Sequence, residues 1–343
     1  MDPSQLLDRL ARVPTAAVPM TPAVAAGVDD SVRYLASDAA RRSIEWDVYW
    51  PKWHAPWWHM LLLFELGEAR RIPEPATRWM LDGLKALKVK TFPFSAADLP
   101  PGADIFKDSV CHCALGCIYQ VLAAAGVDVD AELPWIQQWF FRYQMADGGL
   151  NCDNGSYLVE GEAPSSMVGT VAPLEAMLLG DRVSPPSSAR ATFVDRAGAF
   201  LIERRLLLGS RSRHNAAERE REPIWLLPCF PRFYLYDVLR GLRVLTRWAE
   251  LQEAALPLSA LEPAVAHLLQ AFPDGVVRLQ RRSFEGAGTR VFKEGQWTWE
   301  PATSVPLLEA VSVIGDASPS LTRQWSEARQ STMRLLESKQ IVA

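Results

Sequence analysis

The sequence predicts an all-α fold built from five to six helical hairpins. Three observations lead there. Apolar residues recur at three- and four-residue spacing through most of the chain, and strand-like patterning is confined to one short run. A unit of helix, short turn and returning helix recurs at a period of about 60 residues, longer than the common solenoid repeats. The connections alternate between short and long, as they do when hairpins stack side by side.

Composition bounds the function. The 343 residues hold 36 Lys and Arg against 40 Asp and Glu, a net charge of −4. A nucleic-acid binder is usually basic, so no nucleic-acid partner is expected. An apolar share of 49% is ordinary for a soluble chain and ample for a core. Five cysteines cannot all pair, and CxC and CxxxC spacings within one helix suit thiols better than a disulfide framework. A reducing, cytoplasmic setting is expected. The first twenty residues lack the basic start and apolar core of a signal peptide. No segment reaches the ~18 uncharged apolar residues of a spanning helix, and a peripheral membrane contact stays open.

In chain order, Ser4–Arg12 reads as a short helix, followed by a Pro/Ala-rich connector to about residue 27; residues 28–343 read as a single domain. Asp29 or Asp30 can cap a helix to Arg42. A Trp-rich loop, IEWDVYWPKW, leads to the strongly apolar helix His54–Leu66, closed by Gly67. Pro75–Leu87 returns, and a long Pro-rich loop follows. Asp108 is placed to cap a helix that ends at Gly126, and LPWIQQWFFRYQ makes its return. A loop then carries Asp147-Gly148-Gly149, Cys152 and Asp153. Pro164 opens a helix to Leu179, and Gly180 with DRVSPPSS turns the chain. Helices are expected at Ala189–Leu208, Arg232–Glu250, Leu258–Phe272, Thr303–Ile314 and Leu321–Ser338. GVVRLQRRSF, residues 275–284, is the one strand candidate.

Connections after Leu66, Ala125, Leu179 and Glu250 are short, and those after Leu87, Gln144, Leu208 and Phe272 are long. One end of the stack is trimmed and the other elaborated, and long loops tend to carry function. Trp46, Trp50, Trp53, Trp57, Trp58, Trp225, Trp297 and Trp299 fall at or near the elaborated end. Trp79, Trp135, Trp139, Trp248 and Trp325 read as packing residues.

Three stretches carry a resemblance: QMADGGLNCDNGSYLVEGEAPSSMVGTVAPLEAML, the CHCALGCIYQVLAAAGVD hairpin, and FPDGVVRL with GQWTWEPATSVPLLEA. Over roughly residues 40–340 the chain resembles the α/α toroid of squalene/terpene cyclases and protein prenyltransferase β subunits. The PRFYLYDVLRGLRVLT helix is similar to bacterial prenyltransferase-like members. The resemblance implies an inner and an outer ring of helices, with inner helices starting near His54, Asp108, Pro164, Arg232 and Thr303. Their N-terminal ends would ring the mouth of a mostly apolar central cavity. Two departures stand out. The DxDD acid of protonating cyclases is not matched by Asp128-Val-Asp130-Ala131, which lacks the last acids and lies in a short turn. The zinc set of protein prenyltransferases, an Asp, a Cys two residues later and a distant His, meets only Cys152-Asp153 in another order.

Several residues at those helix starts can carry chemistry. A helix N-terminus lowers the pKa of a thiol, and zinc takes Cys, His and Asp ligands. Cys111 or Cys113, with His112, Cys152 and Cys229, forms a sensible zinc set, with Cys111 and Cys152 alternatively as reactive thiols. The bland alternative is small buried cysteines filling gaps. Asp237, within an apolar helix, could be an acid or a cation stabiliser, or simply pair with Arg240 or Arg243. Asp153 is the second acid candidate. His54, Trp57, Trp58, His112, Ser166, Tyr234, Trp297 and Trp299 are candidate cavity or substrate-binding residues, aromatic rings being able to stabilise a cation. The resemblance implies a terpenoid cyclase or prenyltransferase-like enzyme acting on an apolar small molecule, acid- or metal-assisted. The alternatives are a zinc-thiolate enzyme on a peptide or thiol substrate, and a non-catalytic ligand-binding or scaffold protein.

Overall fold

The computed structural model describes residues 2–92, 94, 97, 99–179, 187–284 and 288–343, and it is mostly helical. In chain order the helices are α1 (Pro3–Ala11), α2 (Pro22–Leu35), α3 (Asp38–Trp46), α4 (Pro56–Leu66), α5 (Glu74–Ala86), α6 (His112–Ala125), α7 (Val129–Glu132) and α8 (Trp135–Tyr143). They continue with α9 (Met167–Leu179), α10 (Ser188–Glu203), α11 (Glu222–Trp225), α12 (Val238–Gln252), α13 (Leu258–Ala271), α14 (Pro306–Ala310) and α15 (Pro319–Glu337). Strands are short: β1 (Leu256–Pro257), β2 (Gly288–Lys293), β3 (Gln296–Pro301) and β4 (Ile341–Val342).

Three helices have almost no polar face. Nine of the 11 residues of α4, 11 of the 14 of α6 and 10 of the 13 of α9 are buried. A helix that is apolar all round belongs in a core. Helix α4 packs on α6, α6 on α9, α9 on α12 and α12 on α15. The α6–α9 contact is close because Gly116 has no side chain: a Cβ there would lie 2.4 Å from the carbonyl carbon of Ala172 and 2.5 Å from the nitrogen of Pro173. The amphipathic helices cover this centre with one apolar face each. Helix α1 does so through Leu6 and Leu10, which pack it on α13 and α15.

Caps explain where the helices begin and end. Gly67 and Gly126 adopt left-handed φ of 87° and 105° and close α4 and α6, as expected from glycine at that position. Other expected boundaries are corrected. The helix expected from Asp29 or Asp30 to Arg42 is two: Thr21 caps α2 and Ser37 caps α3. Asp108 does not cap α6; Cys111 holds that position, and Asp108 accepts the backbone N–H of Asp104. Helix α12 starts six residues later than expected, because Asp237 caps it. The helix expected at Thr303–Ile314 is the five-residue α14. Residues 275–284 form no strand. Arg278 and Arg281 make only isolated bridges, to Ala317 and Cys229. Regular pairing among the described residues is the short parallel β1–β4 and the antiparallel β2–β3 hairpin, the latter turned by Glu294 and Gly295, both at positive φ. The turn expected at Gly180 and its following residues falls mostly outside the described residues.

The cavity also differs from the expected apolar one. A space of about 340 Å³ is lined by α4, α6, α9, α12 and α15, together with Arg232 and Phe233. It lies at the C-terminal ends of α4 and α9 and beside the N-terminal halves of α12 and α15, so it is not ringed by helix starts alone. Five arginines and three glutamates stand among its lining residues.

Candidate thiolate metal centre

The start of α6 gathers three cysteines. Cys111 is its N-cap, in extended conformation, and Cys113 lies in its first turn. Cys152 arrives on the loop between α8 and α9. That loop is pinned at both ends: the Met145 N–H donates to the Gly149 carbonyl, and Leu150 and Ser166 form a bridge. The Asn151 side chain accepts from the N–H of Asp153 and donates to the carbonyl of Pro164. The Sγ atoms of Cys111 and Cys113 are 3.3 Å apart, and the Cys113 N–H donates to Cys152 Sγ at 3.4 Å. All three sulfurs lie within 4.8 Å of one another. A tetrahedral zinc with Zn–S bonds of about 2.3 Å needs sulfurs about 3.8 Å apart, so small side-chain rotations suffice to hold an ion.

The sulfurs share charge unequally. Hydrogen bonds from the thiols of Cys113 and Cys152, with the Ala114 N–H, hold Cys111 well below the usual thiol range. Cys113 and Cys152 are pushed up, first by bonding to the Cys111 thiolate and then by burial. Together these bonds and the helix N-terminus favour negative charge on the Cys111 sulfur.

Beside the sulfurs stands a lysine that the sequence reading did not single out. Lys52 Nζ lies 3.0 Å from Tyr234 Oη and between 5.0 and 5.9 Å from the ring centres of Tyr49, Trp50, Trp53 and Tyr234. Its backbone N–H is fixed on Thr289 Oγ1. Burial lowers its pKa, and the neighbouring Cys113 and Cys111 oppose that. Among the described residues Lys52 makes no ion pair with a carboxylate, and the negative charge that favours its protonated form is that of the cysteine sulfurs. The run WPKW carried the only available signal, a lone cation among indoles.

His112 takes a different place from the expected ligand. Its Nδ1 accepts the indole N–H of Trp139 at 2.8 Å, so the neutral ring carries its proton on Nε2, which donates to Tyr157 Oη at 3.1 Å. Burial pushes its pKa down to about 4. With both nitrogens engaged, His112 braces the first turn of α6 rather than joining the sulfurs. Trp139 therefore does more than pack. Cys229 is also apart from the group, fully buried and pushed up to about 12 by that burial.

The remaining candidates are dispersed. Asp237 is fully buried, accepts the Arg240 N–H and pairs with Arg232 at 2.5 Å, where pairing with Arg240 or Arg243 was expected. Asp153 caps the turn at Asn154–Leu158 and meets His214 at 3.2 Å; burial raises its carboxyl, and bonds from His214, Gly155 and Ser156 leave it lowered on balance. Ser166 Oγ accepts the N–H of Gly169 in the first turn of α9. His54 bonds Thr303, Trp57 and Trp58 are core residues, Trp297 donates to Asp104, and Trp299 is exposed. Of the expected cavity residues, Tyr234 and His112 lie at the thiol centre.

No family model and no curated protein matches the chain. Among solved structures it is similar to a type II terpene cyclase from Scytonema, described in complex with geranylgeranyl dihydroxybenzoate. The identity is 12% and the TM-score 0.27, over 97% of this chain and 99% of that one. That likeness is too loose to transfer a residue or a role, and the site stands on its own chemistry.

Proposed function

We propose that the chain is a zinc-thiolate enzyme in which Cys111, Cys113 and Cys152 hold the metal and a thiol, free or in a peptide, takes the fourth position. The observation that carries this is the convergence of three sulfurs within 4.8 Å from two separate segments. Thiolates select soft or borderline metals, and three protein ligands with one open position mark catalytic zinc sites. Zinc in such a site holds a substrate thiol as its nucleophilic thiolate. The chain's own groups supply the rest. The N-terminus of α6 favours the negative sulfurs, Lys52 offsets their charge, and His112 with Trp139 fixes the helix start.

Acid-driven terpenoid cyclisation has less support. Asp237 is held in an ion pair, Asp153 is bound to His214, and the cavity among the central helices is rich in arginine. A toroid remains our reading of the architecture, supported by five helices lining one cavity.

Metal analysis of untagged protein purified without chelator tests the function. One zinc per chain is expected, and its loss in the Cys111→Ser/Cys152→Ser variant. Metal-free native protein, or equal zinc in the variant, overturns the reading.

A further inference from the structure

The cavity of about 340 Å³ lies further along α6 from the thiols. Cys117, one turn beyond Cys113, lines it, and its S–H donates to the Phe233 carbonyl at 3.7 Å, closing that side. Its charges lean positive: Arg232, Arg240, Arg243, Arg247 and Arg323 face three lining carboxylates, Glu65, Glu175 and Glu327, with Asp237 behind Arg232 as a fourth. Arg240 is fully engaged, with Glu175 at 2.5 Å and the carbonyls of Phe233 and Leu235. Glu65 accepts the backbone N–H groups of Arg232 and Phe233. At the rim, Arg243 and Arg323 share one carboxylate, Glu327, at 3.0 and 3.9 Å.

Arg232 is the decisive residue. It is 4% exposed, pairs with Asp237 through Nε and with Gln324 through Nη1, and its Nη2 has no hydrogen-bond partner. A buried guanidinium N–H without an acceptor is costly and calls for an explanation. The ends of α4 and α9 attract cations and account for Arg247, which donates to the Leu178 carbonyl. They do not account for Arg232, which comes from the loop before α12: Asp237 meets its charge, and its Nη2 is still left without an acceptor.

We propose that this cavity binds a small multivalent oxyanion, a molecule bearing two or more carboxylate or phosphate groups. Guanidinium forks match the paired oxygens of both groups. One end of the ligand meets Arg232 inside, and the other meets Arg243 and Arg323 at the rim. The site is independent of the thiol centre and of any metal there.

Isothermal titration at constant ionic strength, with inorganic pyrophosphate and with citrate as probes, tests it. One equivalent of at least one probe is expected to bind. Pyrophosphate alone assigns a phosphate ligand, citrate alone a polycarboxylate, and both the shared oxyanion chemistry. The rim variant Arg243→Gln/Arg323→Gln should weaken binding roughly ten-fold or more while the unliganded thermal midpoint holds. Arg323→Glu, at a half-exposed position, should give a comparable loss and serves if the double variant folds poorly. The Cys111→Ser/Cys152→Ser variant should bind the probe as the native chain does. Saturable binding of neither probe, or equal affinity in the rim variants, overturns the proposal.

Discussion

Both oxygens of Asp237 are engaged, one by the N–H of Arg240 and the other by the guanidinium of Arg232. Its role is structural: it caps α12 and neutralises a buried cation. Asp237→Ala should lower the unfolding free energy by about 3–5 kcal/mol, because Arg232 is left buried without its charge partner. Asp153→Asn, at an exposed position, should change it by less than about 0.5 kcal/mol. Urea unfolding of the two variants checks both figures, and equal stabilities would remove the distinction. His59 gives a pH signature. It is 7% exposed with Nδ1 on Ser31, and burial pushes its pKa down to about 4 from about 6.5. The folded state keeps it neutral, so its stability contribution is complete above about pH 6.5 and fades as pH falls toward 4. Between pH 6.5 and 4.5 the native protein should lose about 2–3 kcal/mol more than His59→Asn. Identical acid sensitivity of the two proteins would refute that. Glu65 and Glu218, both raised to about 7 by burial, act in the opposite direction but equally in both proteins.

Helix α6 joins the two sites, with Cys111 and Cys113 at its start and Cys117 and Gln120 in the cavity. Its placement depends on Gly116. Ala at this position would drive a Cβ into the backbone of α9 at Ala172 and Pro173, where neither atom can rotate away. Gly116→Ala should cost about 1–3 kcal/mol despite the better helix propensity of Ala. Thermal unfolding reads the cost, and a raised midpoint would contradict the packing account. The same helix shows what sequence can and cannot disclose. Its apolar run and closing Gly126 were legible as periodicity and a left-handed cap. Its start was misplaced because Asp108 is a stronger capping type than Cys111, yet Asp108 is occupied by the preceding turn. The nearness of Cys113 to Cys152 depends on how the loop from Met145 to Ser166 folds. No periodicity reports that contact, nor the arrival of Lys52 from 59 residues upstream of Cys111.

Across the whole molecule, stability and metal binding should be linked. The three cysteines tie the start of α6 to the loop between α8 and α9, and unfolding separates these segments. A metal that needs all three sulfurs binds the folded chain alone, so adding it should raise stability by RT ln(1 + [L]/Kd), about 4 kcal/mol at free zinc 1,000-fold above Kd. The linked ligands must lose protons, so the effect should weaken as pH falls, first at Cys113 and Cys152, the two thiols already pushed up. Chelator-stripped protein titrated with zinc should therefore melt progressively higher at pH 8, with a smaller rise at pH 6. Cys111→Ser/Cys152→Ser should show no rise at either pH. His112→Phe gives a further control, because His112 braces the helix start through Trp139 and Tyr157 without supplying a ligand. It should keep zinc binding but shift the midpoint of the titration to higher zinc. A native midpoint indifferent to zinc, or an equal rise in the cysteine variant, would detach the sulfur cluster from metal binding and leave it a packed group of thiols.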